Sequence, residues 1–105
     1  MYRIFVDTNV PGNRWGAAKR AGNLAKHGVD FVDLDRFAWD DALLFEDLRR
    51  DYGEARMIAL GRLGRRVHVV VFVNRPDGRR IISARKANDR EIALYVAETD
   101  PLDAG

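Results

Sequence analysis

Three observations predict an α+β domain for this chain. These are a β-branched run near its middle, a turn signal on each side of that run, and a helical pattern towards each end. Residues 67–73 are five valines around His68 and Phe72, a composition suited to a central strand buried on both faces. Leu63-Gly64 before the run and Pro76-Asp77-Gly78 after it read as tight turns, so the flanking strands form an antiparallel meander. Helices at 15–27 and 89–98 then have to bury one side each, mainly on one face of that sheet. At 105 residues the chain has room for one modest core, so a single domain over 1–105 is expected.

Residues 2–6 are apolar enough for a short first strand, and 7–13 form a turn-rich loop. The helix at 15–27 meets its stop at Gly28. At about 100° per residue, Ala17, Ala18, Ala21, Leu24 and Ala25 share one stripe, small enough to sit close against a sheet. Lys19, Asn23, Lys26 and His27 share another, which gathers two ammonium groups, an amide and an imidazole. Asp30 has the right side chain to cap a short helix that buries Phe31, Leu34 and Phe37. Residues 42–46 suit a strand, a polar loop leads to Tyr52-Gly53, and 56–60 alternate as a further strand. Asn88 with Glu91 makes a capping box for the last helix, which buries Ile92 and either Tyr95 or Val96.

The run Arg79-Arg80-Ile81-Ile82-Ser83-Ala84-Arg85-Lys86-Ala87 is the densest in chemistry. If Ile82 and Ala84 fill the core, Ser83 and Arg85 share the opposite side of the strand, where Arg85 can fork onto a phosphate. The plain alternative is an edge strand with solvated arginines. Charge distribution favours the first reading. Between Asp30 and Glu54 nine acids face three arginines, a balance of −6. Between Ala55 and Arg90 ten bases, nine of them arginine, face two aspartates, a balance of +8. A positive half of that size suits a polyanion such as RNA.

Several classes are disfavoured. No segment approaches the roughly 18 apolar residues that span a bilayer, and no leader pattern for export is expected. With no cysteine there is no disulfide, thiolate zinc site or cysteine nucleophile. Residues 4–10, Ile-Phe-Val-Asp-Thr-Asn-Val, look like the first strand of metal-dependent PIN nucleases. Asp7 would then be a metal ligand, with Asp33, Asp35, Asp40 and Asp41 as further carboxylates. Asp7 as an ordinary turn former is the simpler reading.

Four motifs occur in order: Trp15 with Lys19; Asn23-Leu24-Ala25-Lys26-His27-Gly28-Val29; Tyr52-Gly53-Glu54-Ala55-Arg56; and Ile81-Ile82-Ser83-Ala84-Arg85-Lys86-Ala87 followed by Glu91 and Tyr95. Together they resemble the BrnT family, the toxins of a bacterial type II toxin–antitoxin system. Three departures stand out. Gly16 replaces an aspartate, Phe72-Val73 replaces a common Tyr-Thr pair, and the segment 1–14 is atypical.

The resemblance implies a RelE-like fold and a cytoplasmic RNA endonuclease of the mRNA interferase type, with no metal or cofactor. It also implies a cognate BrnA-like ribbon-helix-helix antitoxin, through which alone operator DNA would be bound. Such an enzyme needs a base for the 2′-hydroxyl, an acid for the leaving 5′-oxygen and cations on the phosphorane. Lys26, His27, Glu54, Arg56 and Arg85 form the expected catalytic set. His27 can be acid or base, Glu54 a base, and Lys26 a cation or acid; Arg56 and Arg85 are the cations. A helix-capping His27 and a structural Glu54–Arg56 ion pair remain the alternatives. Lys19, Asn23, Arg75, Arg79, Arg80, Ser83 and Lys86 are the expected RNA contacts.

Overall fold

A computed structural model of the protein describes residues 12–99. The chain builds β1 (Asn13–Arg14), α1 (Ala17–His27), 3-10 helices at Phe31–Arg36 and Trp39–Asp41, β2 (Leu43–Glu46), β3 (Met57–Leu63), β4 (Arg66–Arg75), β5 (Gly78–Lys86) and α2 (Asp89–Thr99). The sheet order is β1-β5-β4-β3-β2. Strands β2 to β5 form the expected antiparallel meander, and the short β1 lies parallel to β5 with Asn13 opposite Arg79 and Arg14 opposite Arg80. The strand expected at 2–6, and Asp7 with it, lie outside the described residues.

Alternation along the strands divides the core in two. On one face Met57, Ala59, Val70, Phe72, Ile81 and Ala84 pack beneath the 3-10 segments through Phe31, Leu34 and Phe37, with Trp15 and Val29, at the two ends of α1, beside them. Asp30 caps the first 3-10 helix by accepting from the Val32 N–H, as its side chain suggested. Gly61 lets this layer come close, because a Cβ there would meet the Phe37 ring at 2.6 Å. On the other face Leu43, Phe45, Leu60, Val67 and Val69 pack beneath α2 through Tyr95, Ile92 and Leu94. Three of the four helical segments thus share one face, and α2 has the other to itself.

A register shift between Val71 and Phe72 corrects one expectation. Val71 pairs with Ser83 but Phe72 pairs with Ile81, so β5 carries an extra residue at Ile82. The bulge turns Ile81 inward with Ala84, both fully buried, and leaves Ile82 half-buried. Ser83 and Arg85 still share a face.

Helix α1 docks on a different side from the one its alanines indicate. Ala17, Ala18, Ala21 and Ala25 are exposed, and Leu24 is 44% exposed. The inward side chain is Asn23, at 7% exposure. Its amide accepts from the Ala84 N–H at 3.0 Å and donates to the carbonyls of Ala84 at 2.8 Å and Val29 at 2.9 Å. An amide side chain carries the same donor and acceptor as a peptide group. Asn23 therefore serves as a one-residue strand on the outer edge of β5, beyond the point where β1 stops pairing. Asn23 is an internal fastener here rather than part of an RNA-facing stripe. The helix ends where expected, with Gly28 at φ 72° and its N–H donating to the Leu24 carbonyl.

Arg79 is likewise inside. It is 6% exposed, its guanidinium lies 4.0 Å over the Trp39 ring, and it donates to Asn13 Oδ1. Burial lowers its pKa, because the charge has lost its water. Trp39 in turn meets Phe72 edge-on at 5.4 Å. Phe72 is 1% exposed on the α1 side, so the position where the resemblance expects a tyrosine belongs to the core.

Candidate functional site

The α2 side of the sheet is only partly covered. Cross-strand pairing lays its side chains in rows. One row runs Leu43, Leu60, Val69, Arg85; the next runs Phe45, Ile58, Val71, Ser83. Helix α2 covers the first row. In the second, Ile58 and Val71 form a partly exposed apolar shelf that ends at Ser83. This shelf floors a groove of about 600 Å³ whose walls are Leu48 and Arg49 on one side and Arg85, Glu91 and Leu94 on the other. One step further along the same face, alternation places Arg56 next to Ile58 and Arg80, opposite Val73, next to Val71.

Each groove arginine is backed by a carboxylate. Arg85 donates through Nη1 and Nη2 to the two oxygens of Glu91, at 2.9 and 2.8 Å. Glu91 also accepts from the Asn88 N–H at 2.9 Å, while its own N–H donates to Asn88 Oδ1 at 2.8 Å. This is the expected capping box, and it does a second job by orienting Arg85. The Arg85 guanidinium holds the Glu91 carboxyl below its usual range, with the Asn88 N–H assisting.

On the facing wall, Arg49 donates through Nε and Nη2 to Asp47 at 2.9 and 2.8 Å. Asp47 is buried and also accepts from the Arg49 N–H and the Tyr52 hydroxyl. These donors, the Arg49 side chain foremost, hold its carboxyl far below the ordinary value. Arg49 and Arg85 are close enough for the charge of one to act on the other. Both forks are spent on their carboxylates, so a phosphate in the groove would meet the N–H groups left over, at Arg85 Nε and Arg49 Nη1.

The expected site residues fall into two groups. Ser83, Arg85, Arg80 and Arg56 share the groove face, with Arg56 stacked 4.2 Å over the Tyr52 ring. Glu54 pairs with Arg75 at 2.7 Å rather than with Arg56. Lys19 and Lys26 are exposed on α1, His27 is half-buried at its end, and Lys86 is exposed at the end of β5. Lys19, Lys26 and His27 lie with α1 along the outer edge of β5, and Lys86, alternating with Arg85, faces away from the groove. Because β1 lies beside Arg79–Arg80 and Asn23 beside Ala84, α1 ascends with β5 and brings Lys26 and His27 to its Lys86 end. Asn23 and Arg79 belong to neither group, being internal. Among the described residues no three His, Asp or Glu side chains converge as metal ligands would. Sequence reasoning missed Arg49 and Asp47; the signal was Asp-x-Arg with a tyrosine five residues after the aspartate.

A small α+β domain with arginines beside an apolar shelf has the chemistry a polyanion would need, and its class is set by the family it matches. More particularly, the chain belongs to the BrnT family: the model of the ribonuclease toxin BrnT of type II toxin–antitoxin systems matches residues 15–91. That span includes α1, Glu91 and every groove residue but Leu94. None of the curated proteins matches the chain.

Proposed function

We propose that this protein is the toxin of a type II toxin–antitoxin pair, an endoribonuclease that cuts RNA without a metal. The 2′-oxygen, losing its proton to a base, attacks the adjacent phosphorus. The 5′-oxygen leaves with a proton from an acid, giving a 2′,3′-cyclic phosphate that can open to a 3′-phosphate. The observation that carries this reading is the Arg85–Ser83 side of β5, facing Arg49 across the shelf, in a chain of a ribonuclease family.

In this reading Arg85 and Arg49 hold the phosphate and stabilise the phosphorane charge, and Glu91 and Asp47 fix their forks in place. RNA leaving the groove over the end of β5 meets Lys86, Lys26 and His27. The phosphate that is cut sits where the RNA crosses this end of β5. Arg85 reaches it from the groove, and His27, which makes no hydrogen bond or ion pair to a described residue, reaches it from the outer edge as the proton-transfer group; Lys26 adds charge. Arg80 and Lys19 extend the track for the flanking phosphates. Glu54 and Arg75, engaged with each other, shape the far end.

A ribonuclease groove of this kind needs a cover when idle, and the partner is a BrnA-like ribbon-helix-helix antitoxin through which operator DNA is bound. The test is purified protein with single-stranded RNA in excess chelator, followed by analysis of the new termini. Cyclic or 3′-phosphate ends are expected. Cleavage that requires added magnesium would support the metal-dependent alternative. Tight RNA binding without cleavage would support a toxin homologue retained as an antitoxin-bound co-repressor.

A further inference from the structure

We propose that the Ile58–Val71 shelf is a subsite for one unpaired nucleobase, and that Ser83 determines specificity by reading that base's edge. The inference deepens the RNA reading above and rests on it. Three features of the groove point to a base. The shelf is flat, because Ile58 and Val71 are direct cross-strand partners on one pleated face. Ile58 and Val71 stay partly exposed although α2 covers the very next row, and apolar floor inside a groove suits the apolar face of a small ligand. Leu48 and Leu94 stand at its sides, so a planar ring laid on it meets carbon on several sides.

The polar groups then settle which apolar ligand fits. Ser83 ends the same row, and its hydroxyl makes no hydrogen bond to another described residue. An aliphatic protein anchor would cover that hydroxyl and leave it unpaired, which is costly. A base brings edge donors and acceptors to it while its apolar faces meet the shelf. The base's own phosphates fall within reach of Arg85 and Arg49 at the walls. A base inside a duplex cannot lie flat on a protein surface, so the subsite selects single strands.

The test is a random single-stranded RNA pool, cut by the full chain in chelator, with the ends mapped by sequencing. The readout is the ratio among the four bases at each position near the cut, which does not depend on total rate. Wild type should show a preference at one position. Ser83→Ala should reduce that ratio by about 3–10-fold, the worth of one hydrogen bond, at that position alone, and Ser83→Thr should retain it. A superimposable Ser83→Ala profile, or no preference in the wild type, overturns the proposal.

If the chain does not cleave at all, the function reading fails, and binding still decides the subsite. Uncleavable 2′-O-methyl oligonucleotides, made abasic at each position in turn, should lose affinity at one position, and Val71→Trp should erase that difference. Equal affinities across the series overturn the proposal. So does a Val71→Trp protein that keeps the abasic difference but no longer binds the protein encoded beside it, since the shelf would then be a protein-docking site.

Discussion

On the α1 side of the sheet, Arg79 is 6% exposed and lies against the Trp39 ring, and the amide of Asn23 is spent on the backbone of β5. On the α2 side, Arg85 and Arg49 stand at the rim of a groove, each oriented by a carboxylate, over a shelf that is only partly covered. The same residue types do opposite work on the two faces. What separates them is the layer above: two 3-10 segments seal one face, with α1 fastened along its β5 edge, whereas α2, 11 residues long, reaches across only part of the other. Charge count alone cannot distinguish a cation that ties the fold together from one that waits for a phosphate.

The comparison breaks most visibly at Arg85. Arg85→Ala should lower kcat/KM for RNA by about 10²–10³-fold, the usual loss of one transition-state donor. Its half-exposed ion pair contributes little to stability, about 1 kcal/mol or less, so chemical denaturation should shift only slightly. Loss of the fold instead would make Arg85 a structural residue like Arg79.

Asn23→Ala should behave in the opposite way. It strands the N–H and carbonyl of Ala84 and the carbonyl of Val29, at a cost of about 2–3 kcal/mol, read as a lower denaturation midpoint. A stable Asn23→Ala protein with weakened RNA binding would return Asn23 to the RNA-facing group. Arg79→Ala should cost about 2 kcal/mol of stability and leave the salt dependence of RNA binding unchanged, because Arg79 contacts no phosphate in this arrangement.

Asp47 supplies a pH signature. Its carboxyl is held low in the folded chain by Arg49 and its other donors, so the unfolded chain binds that proton more readily. Its contribution is therefore complete above about pH 4 and is lost progressively as pH falls from there. Asp47→Asn should cost about 1–2 kcal/mol at neutral pH and give a flatter acid limb in stability against pH. An unchanged acid limb would show that this wall of the groove is not held by Asp47.

The smallest effect is at Gly16, the N-cap of α1, which has no capping side chain and open space around its Cβ position. Gly16→Asp, restoring the residue the family resemblance expects, should raise stability by a few tenths of a kcal/mol. Activity should not move, since the cap lies at the opposite end of α1 from His27.

Much of this architecture was legible in the residues. The valine run, the two turns, the Asp30 cap, the Gly28 stop and the Asn88–Glu91 box each encode a local event, and each is found where its chemistry placed it. The errors came from non-local events. Periodicity assigned the alanine stripe of α1 to the core, because a helical wheel assumes an apolar neighbour; the actual neighbour is a strand edge, whose unpaired peptide groups call for an amide. Alternation assigned Ile82 to the core, because no sequence signal marked the bulge opposite Val71 and Phe72. The pairing of Arg49 with Asp47 went unread because a polar loop looks alike whether its charges are solvated or locked. The two-group division of the expected site residues follows from the register of β5, which a linear motif does not contain.

The most direct measurement is amide chemical-shift mapping of the full chain with an uncleavable 2′-O-methyl single-stranded RNA. The largest perturbations should cluster at Arg49, Ile58, Val71, Ser83 and Arg85, with a second set at Lys26, His27 and Lys86 where the strand passes over the end of β5. Perturbations centred on the exposed alanines of α1, with the groove unaffected, would contradict the assignment of the α2 side as the working face.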